Sequence, residues 1–118
     1  MKYMLLIYGD ENALSEGETQ DCYEKSTRLA HDLNAKGQFL GASPLHRTSM
    51  ATSVRLREGK RLITDGPFAE THEQLGGFYL IDAKDLDDAI AIAARVPVAQ
   101  WGTVEVRPVV ELPNLPKS

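Results

Sequence analysis

A chain of 118 residues, 42% hydrophobic and 25% charged, has the make-up of a single globular domain able to bury roughly two-thirds of the surface its unfolded form exposes. Its lone Cys22 excludes an internal disulfide and a cysteine zinc cluster, and the longest apolar run, Met4 to Tyr8, is too short to cross a membrane. A net charge of −4 argues against a general nucleic-acid binder, and a start without a basic region and apolar stretch of signal-peptide type sets the expected location as cytoplasmic.

Met1 to Tyr8 is a continuous apolar run and suits a central strand covered on both faces. Ser15 followed by Glu18 forms a capping-box pattern. From there Cys22, Ser26, Leu29, Ala30 and Leu33 fall at helical spacing, Cys22 as a small packing residue, until Gly37 closes the helix. Gln38 to Ala42 reads as a second strand. Val54 and Leu56 alternate with Arg55 and Arg57, Glu58-Gly59 supplies a turn, and Leu62 and Ile63 continue beyond it, so this segment is a hairpin with one apolar and one basic face. Phe78 to Ile81 is a further strand. Asp85 caps a second helix carrying Leu86, Ala89, Ile90 and Ala93 on one face, with Pro97 as its stop. Val104 and Val106 alternate with Glu105 and Arg107 in a last strand. One domain over 1–112 is expected, followed by an irregular tail over 113–118.

This order, β-α-β, hairpin, β-α-β, makes a ferredoxin-like α+β sandwich with an inserted hairpin. Both helices then cover one sheet face, and the other needs a cover. A two-fold homodimer packing sheet on sheet provides it. Charge is uneven along the chain. Between Gly41 and Thr64 stand Arg47, Arg55, Arg57, Lys60 and Arg61 against Glu58 alone, a net +4 on a remainder of −8. Exposed arginines on paired strands guard a sheet edge more often than they bind anions, and the basic face has no interleaved aromatics for nucleic acid.

Most of the titratable chemistry crowds into Thr64 to Asp82. Asp65 sits on a Gly66-Pro67 turn, followed by Phe68, Glu70, His72 and Glu73. Asp65 has two readings, an Asx-type turn that fixes its own loop, or a general base whose pKa is raised by Ile63 and Phe68 nearby. In the catalytic reading His72 is its acid partner, and Gly66, Pro67, Phe68, Tyr8 and Arg47 bind substrate. A metal held by Asp65, Glu70, His72 and Glu73 is disfavoured because no helix-spaced His pair supports it, and no cofactor is required. Gly76 and Gly77 suit a bulge at a strand start, and Trp101 a cap on the core.

The segments Thr64-Asp-Gly-Pro-Phe-Ala-Glu-Thr and Glu73-Gln-Leu-Gly-Gly-Phe-Tyr-Leu-Ile-Asp82 resemble the DGPF-type subgroup of the YCII-related family. So do Met1 to Asp10 and Val104 to Val109. The resemblance implies a ferredoxin-like fold dimerising as an α+β barrel, in small bacterial proteins some of which associate with sigma-factor-like regulators. The wider family pairs a first-helix His with an Asp late in the second helical segment. Here those positions read Ser26 and Ala94-Arg-Val-Pro97, with His31 facing solvent, so any acid must come from the Asp65 loop. Two functions follow. One is a homodimer with a small-molecule cleft beside that loop, using Asp65 for isomerase- or lyase-type proton transfer on a small organic ligand. The other is a non-catalytic interaction module for a sigma-factor-like regulator.

Overall fold

In the computed structural model, which describes residues 1–116, strand β1 (Lys2–Gly9) carries the continuous apolar run and sends successive side chains to opposite faces. Tyr3 and Leu5 are buried, while Met4, Leu6 and Tyr8, pointing the other way, are half-buried. Helix α1 (Glu16–Ala35) starts on the capping box: Ser15 Oγ accepts from the Glu18 N–H at 3.2 Å and the Glu18 carboxylate accepts from the Ser15 N–H at 3.0 Å. That backbone bond, followed by the side-chain one, holds the Glu18 carboxyl below its ordinary range. The helix ends at Gly37, whose φ of +72° lets the Gly37 and Gln38 amides return to the carbonyls of Asn34 and Leu33.

Strands β2 (Phe39–Pro44), β5 (Gln74–Asp82) and β6 (Thr103–Pro108) join β1 in one sheet of order β2-β5-β1-β6, with every neighbouring pair antiparallel. Helix α2 (Leu86–Ala93) is capped by Asp85, whose carboxylate accepts from the Asp88 N–H at 2.9 Å. Leu29 and Leu33 of α1 and Ala89, Ile92 and Ala93 of α2 share one core with Tyr3, Leu5, Tyr79 and Ile81 of the sheet. Both helices therefore lie on the same face, an α+β arrangement compatible with a ferredoxin-like fold. Among the described residues of one chain β1 is covered on that face alone, and Met4, Leu6, Tyr8, Phe78 and Leu80 line the open face.

Among the described residues, strands β3 (Thr52–Arg57) and β4 (Lys60–Asp65) pair only with each other, as an arm separate from the main sheet. Glu58 and Gly59, at φ of +52° and +76°, form the two-residue turn that matches strand twist. Val54 faces Ile63 and Leu56 faces Arg61 on one side; Arg55 faces Leu62 and Arg57 faces Lys60 on the other. The expected apolar and basic faces are present, each carrying one residue of the other kind. Pro97, expected as a stop, begins a 3₁₀ turn, Pro97–Gln100. The expected tail over 113–118 has a turn at Pro113 and Asn114, and its residues 117 and 118 lie outside the described residues.

Candidate functional site

Where β1 gives way to α1, a cleft of about 680 Å³ opens between the sheet end and the first turns of the helix. Ile7, Leu14, Tyr23, Leu45, Val98 and Trp101 form its apolar walls, and Asp10, Glu11, Glu16, His46, Arg47 and Gln74 its polar rim. It shares Ile7, Cys22, Tyr23 and Val98 with a smaller cavity of about 230 Å³ that continues under α1 toward Phe39 and Tyr79. Such a mixture of apolar walls and a few convergent polar groups is what small organic ligands require.

The rim is tied together by hydrogen bonds from three loops. The Glu11 carboxylate, only 16% exposed, accepts from the Thr48 N–H at 2.9 Å and stands 3.7 Å from the Arg47 guanidinium. Arg47 also donates to the Glu11 carbonyl at 2.9 Å and to Asn12 Oδ1 at 2.7 Å. Gln74 accepts from the Glu11 N–H at 3.0 Å through its amide oxygen and donates to the Thr71 carbonyl at 2.7 Å through its nitrogen. The loop after β1, the loop after β2 and the loop before β5 thus hold one another, and the cleft mouth is their meeting point.

Of the residues expected to bind substrate, Arg47 lines this cleft, though much of its hydrogen-bonding capacity goes to its own loops. Asp65 ends β4 at the base of the arm, exposed, and Gly66 there donates its N–H to the Ala51 carbonyl at 2.7 Å and accepts from Ser53 Oγ at 2.8 Å. Gly66 holds φ +99°, which explains glycine at that turn. Pro67 is exposed, and Phe68, 71% exposed, lies under the Arg55 guanidinium at 4.5 Å. His72 is exposed, and its carbonyl lies 3.3 Å from the Gln74 amide nitrogen. Tyr8 points to the open sheet face, beside Glu73 and Glu105. Asp65, Gly66, Pro67, Phe68, His72 and Tyr8 line neither cavity. Among the described residues, no three of the His, Cys, Asp and Glu side chains group as metal ligands.

Trp101 is a wall of the cleft rather than a cap on the core, because Gly9 leaves room for it. A Cβ at Gly9 would stand 2.6 Å from the indole ring. Cys22, on the helix wall, has its thiol pushed up by burial, with a hydrogen bond to Ser26 opposing and Asp21 adding. Tyr79 is likewise pushed up by burial, although its hydroxyl donates to the Ser26 carbonyl at 2.7 Å. The expected irregularity stands at Gly76, which the pairing of β1 with β5 skips between Gly77 and Leu75, and Gly77 beside it is also a close-approach site, since a Cβ would lie 2.9 Å from the Ser43 carbonyl oxygen of β2. Asp10, Glu11 and Gln74 carry a sequence signal only in hindsight: acids at the end of an apolar strand, and an amide at the start of another.

A model of the YCII-related domain matches residues 1–113 of the chain. An uncharacterised protein of Rhizobium meliloti (strain 1021) is 38% identical over 117 residues, covering 92% of this chain and 91% of that protein.

Proposed function

We propose, from the premise that this chain belongs to the YCII-related domain family, that it acts as a homodimeric binding protein for a small organic molecule held between α1 and the end of the main sheet. The observation that carries this reading is the continuous apolar-walled cleft with its hydrogen-bonded rim. Cleft and Asp65 loop are joined through Gln74, which bonds both Glu11 and Thr71. The segment Thr64 to Thr71 supports the DGPF-type subgroup. The half-buried apolar face of Met4, Leu6, Phe78 and Leu80 supports a second copy packed against the sheet. In one chain Asp65 and His72 face solvent outside the cleft, so proton transfer by them requires a ligand or a second copy to close over the arm base.

Trp101, the only tryptophan, and Cys22 both line the cleft and serve as reporters. A panel of small aromatic amines and aromatic carboxylates is titrated against intrinsic fluorescence, and the hits are tested for protection of Cys22 from iodoacetamide. Hits that change the fluorescence, protect the thiol and lose both effects in Thr19→Phe, which places a ring in the cleft, support the reading. A panel without one such compound overturns it.

A further inference from the structure

The arm is the least explained part of the molecule. The chain has a radius of gyration of 16.0 Å, where a compact domain of this length has about 13.5 Å. The arm reaches roughly 20 Å from its base, as six residues of strand do. Val54, Leu56, Leu62 and Ile63 are 61%, 65%, 47% and 61% exposed on it. A two-stranded ribbon is marginal in water by itself, and this one exposes aliphatic side chains on both faces, so the arm needs a surface to lie on.

Charge identifies that surface. Thr52 to Asp65 hold Arg55, Arg57, Lys60 and Arg61 against Glu58 and Asp65, a net +2 in a chain of −4, so the remainder carries −6. On the open face of the main sheet, Tyr8, Thr103, Glu73 and Glu105 enclose a shallow hollow of about 390 Å³, with Thr103 Oγ1 donating to Glu73 at 2.9 Å. A hollow with an aromatic floor and two carboxylates complements a ribbon of aliphatic and basic side chains. It lies on the apolar face that one chain leaves uncovered.

We infer that the β3–β4 arm is an intersubunit clasp: it reaches past the sheet-to-sheet contact to the hollow at the margin of a second copy's open face, its aliphatic side chains beside Tyr8 and its tip cations, Arg57, Lys60 and Arg61, against Glu73 and Glu105. The inference rests on the homodimer reading and adds to it the element that grips. Opposite charges brought together this way steer association and fix register. The arm stands apart from the core, so changes on it leave the body folded.

The test is the dimer dissociation constant by sedimentation velocity, with circular dichroism confirming the fold of each variant. Arg57→Glu with Lys60→Glu raises the constant at least tenfold, and so does Glu73→Lys with Glu105→Lys. All four changes together restore it to within threefold of the parent, which a merely structural role does not produce. A parent that dimerises while both charge variants match it overturns the clasp and leaves the sheet-to-sheet dimer standing. A parent that stays monomeric at every concentration overturns both. Arm variants that leave dimerisation intact but abolish binding of a nucleic acid duplex overturn the clasp in favour of a polyanion partner.

Discussion

Replacing Glu11 by alanine removes the carboxylate that joins two loops at the cleft mouth and leaves its backbone N–H bond to Gln74 intact, so the perturbation is confined to one group. The loss has two parts. A hydrogen bond from a half-buried backbone N–H to a charged acceptor contributes about 1.5–3 kcal/mol, and the Thr48 amide is left without that partner. The ion pair with Arg47, at 3.7 Å and with the guanidinium 58% exposed, adds only about 0.5 kcal/mol because solvent screens it. The sum is about 2–3.5 kcal/mol. A domain of this length unfolds with an entropy near 0.25 kcal/mol per kelvin, roughly 2 cal/mol/K per residue, so Tm falls by about 10 °C. Glu11→Gln keeps an oxygen for the Thr48 N–H and loses the charge, and its Tm falls by about 3–4 °C. Thermal unfolding followed by circular dichroism measures both, and hydrogen exchange at the Thr48 amide locates the effect. An alanine variant within about 2 °C of the parent would refute the claim that this carboxylate holds the mouth together.

Gly102→Ala drives a Cβ into the Tyr8 carbonyl oxygen and to 2.7 Å from Val98, so urea unfolding shows a loss of about 2–3 kcal/mol; an unchanged midpoint shows that the 3₁₀ turn shifts freely. Tyr79 is pushed above its ordinary value of 10.0, so its contribution is fully present below that pH and is lost as pH rises through the higher folded value. The stability difference between parent and Tyr79→Phe therefore stays constant up to about pH 10 and moves against the parent above it, as denaturant titrations across pH 8–12 measure. Burial pushes the Cys22 thiol above 9.0, so iodoacetamide modifies it more slowly at pH 7.5 than it modifies a free cysteine peptide; a faster reaction contradicts the environment described. Ser15→Ala removes the acceptor for the Glu18 N–H and costs about 1 kcal/mol, read from the thermal midpoint.

The local elements were legible because their causes are local. Ser15 with Glu18, Gly37, Asp85 and Glu58-Gly59 each satisfy or reverse the backbone within a few residues, and each stands where the pattern places it. The continuous apolar run of Met1 to Tyr8 marked a strand apolar on both faces, and the lack of a cover for one of them followed from the helix count; which residues lie under the helices, Tyr3 and Leu5, was decided by the packing. The site was less legible. Thr64 to Glu73 concentrates acids and a histidine in sequence, yet neither Asp65 nor His72 lines a cavity. Titratable residues cluster on exposed loops because water solvates them there, and density along the chain carries no information about concavity.

Composition, period and turn chemistry determined by themselves an α+β chain of six strands and two helices, a basic ribbon on an acidic body, and one sheet face short of a cover, since each depends on interactions spanning a few residues or on totals. The tertiary structure alone decided that the hollow lies between Glu11, Cys22, Arg47, Gln74 and Trp101, residues separated by up to 90 positions. A cavity is a property of surfaces that fail to meet, and which surfaces meet depends on how the sheet end, the first helix and three loops are packed against one another.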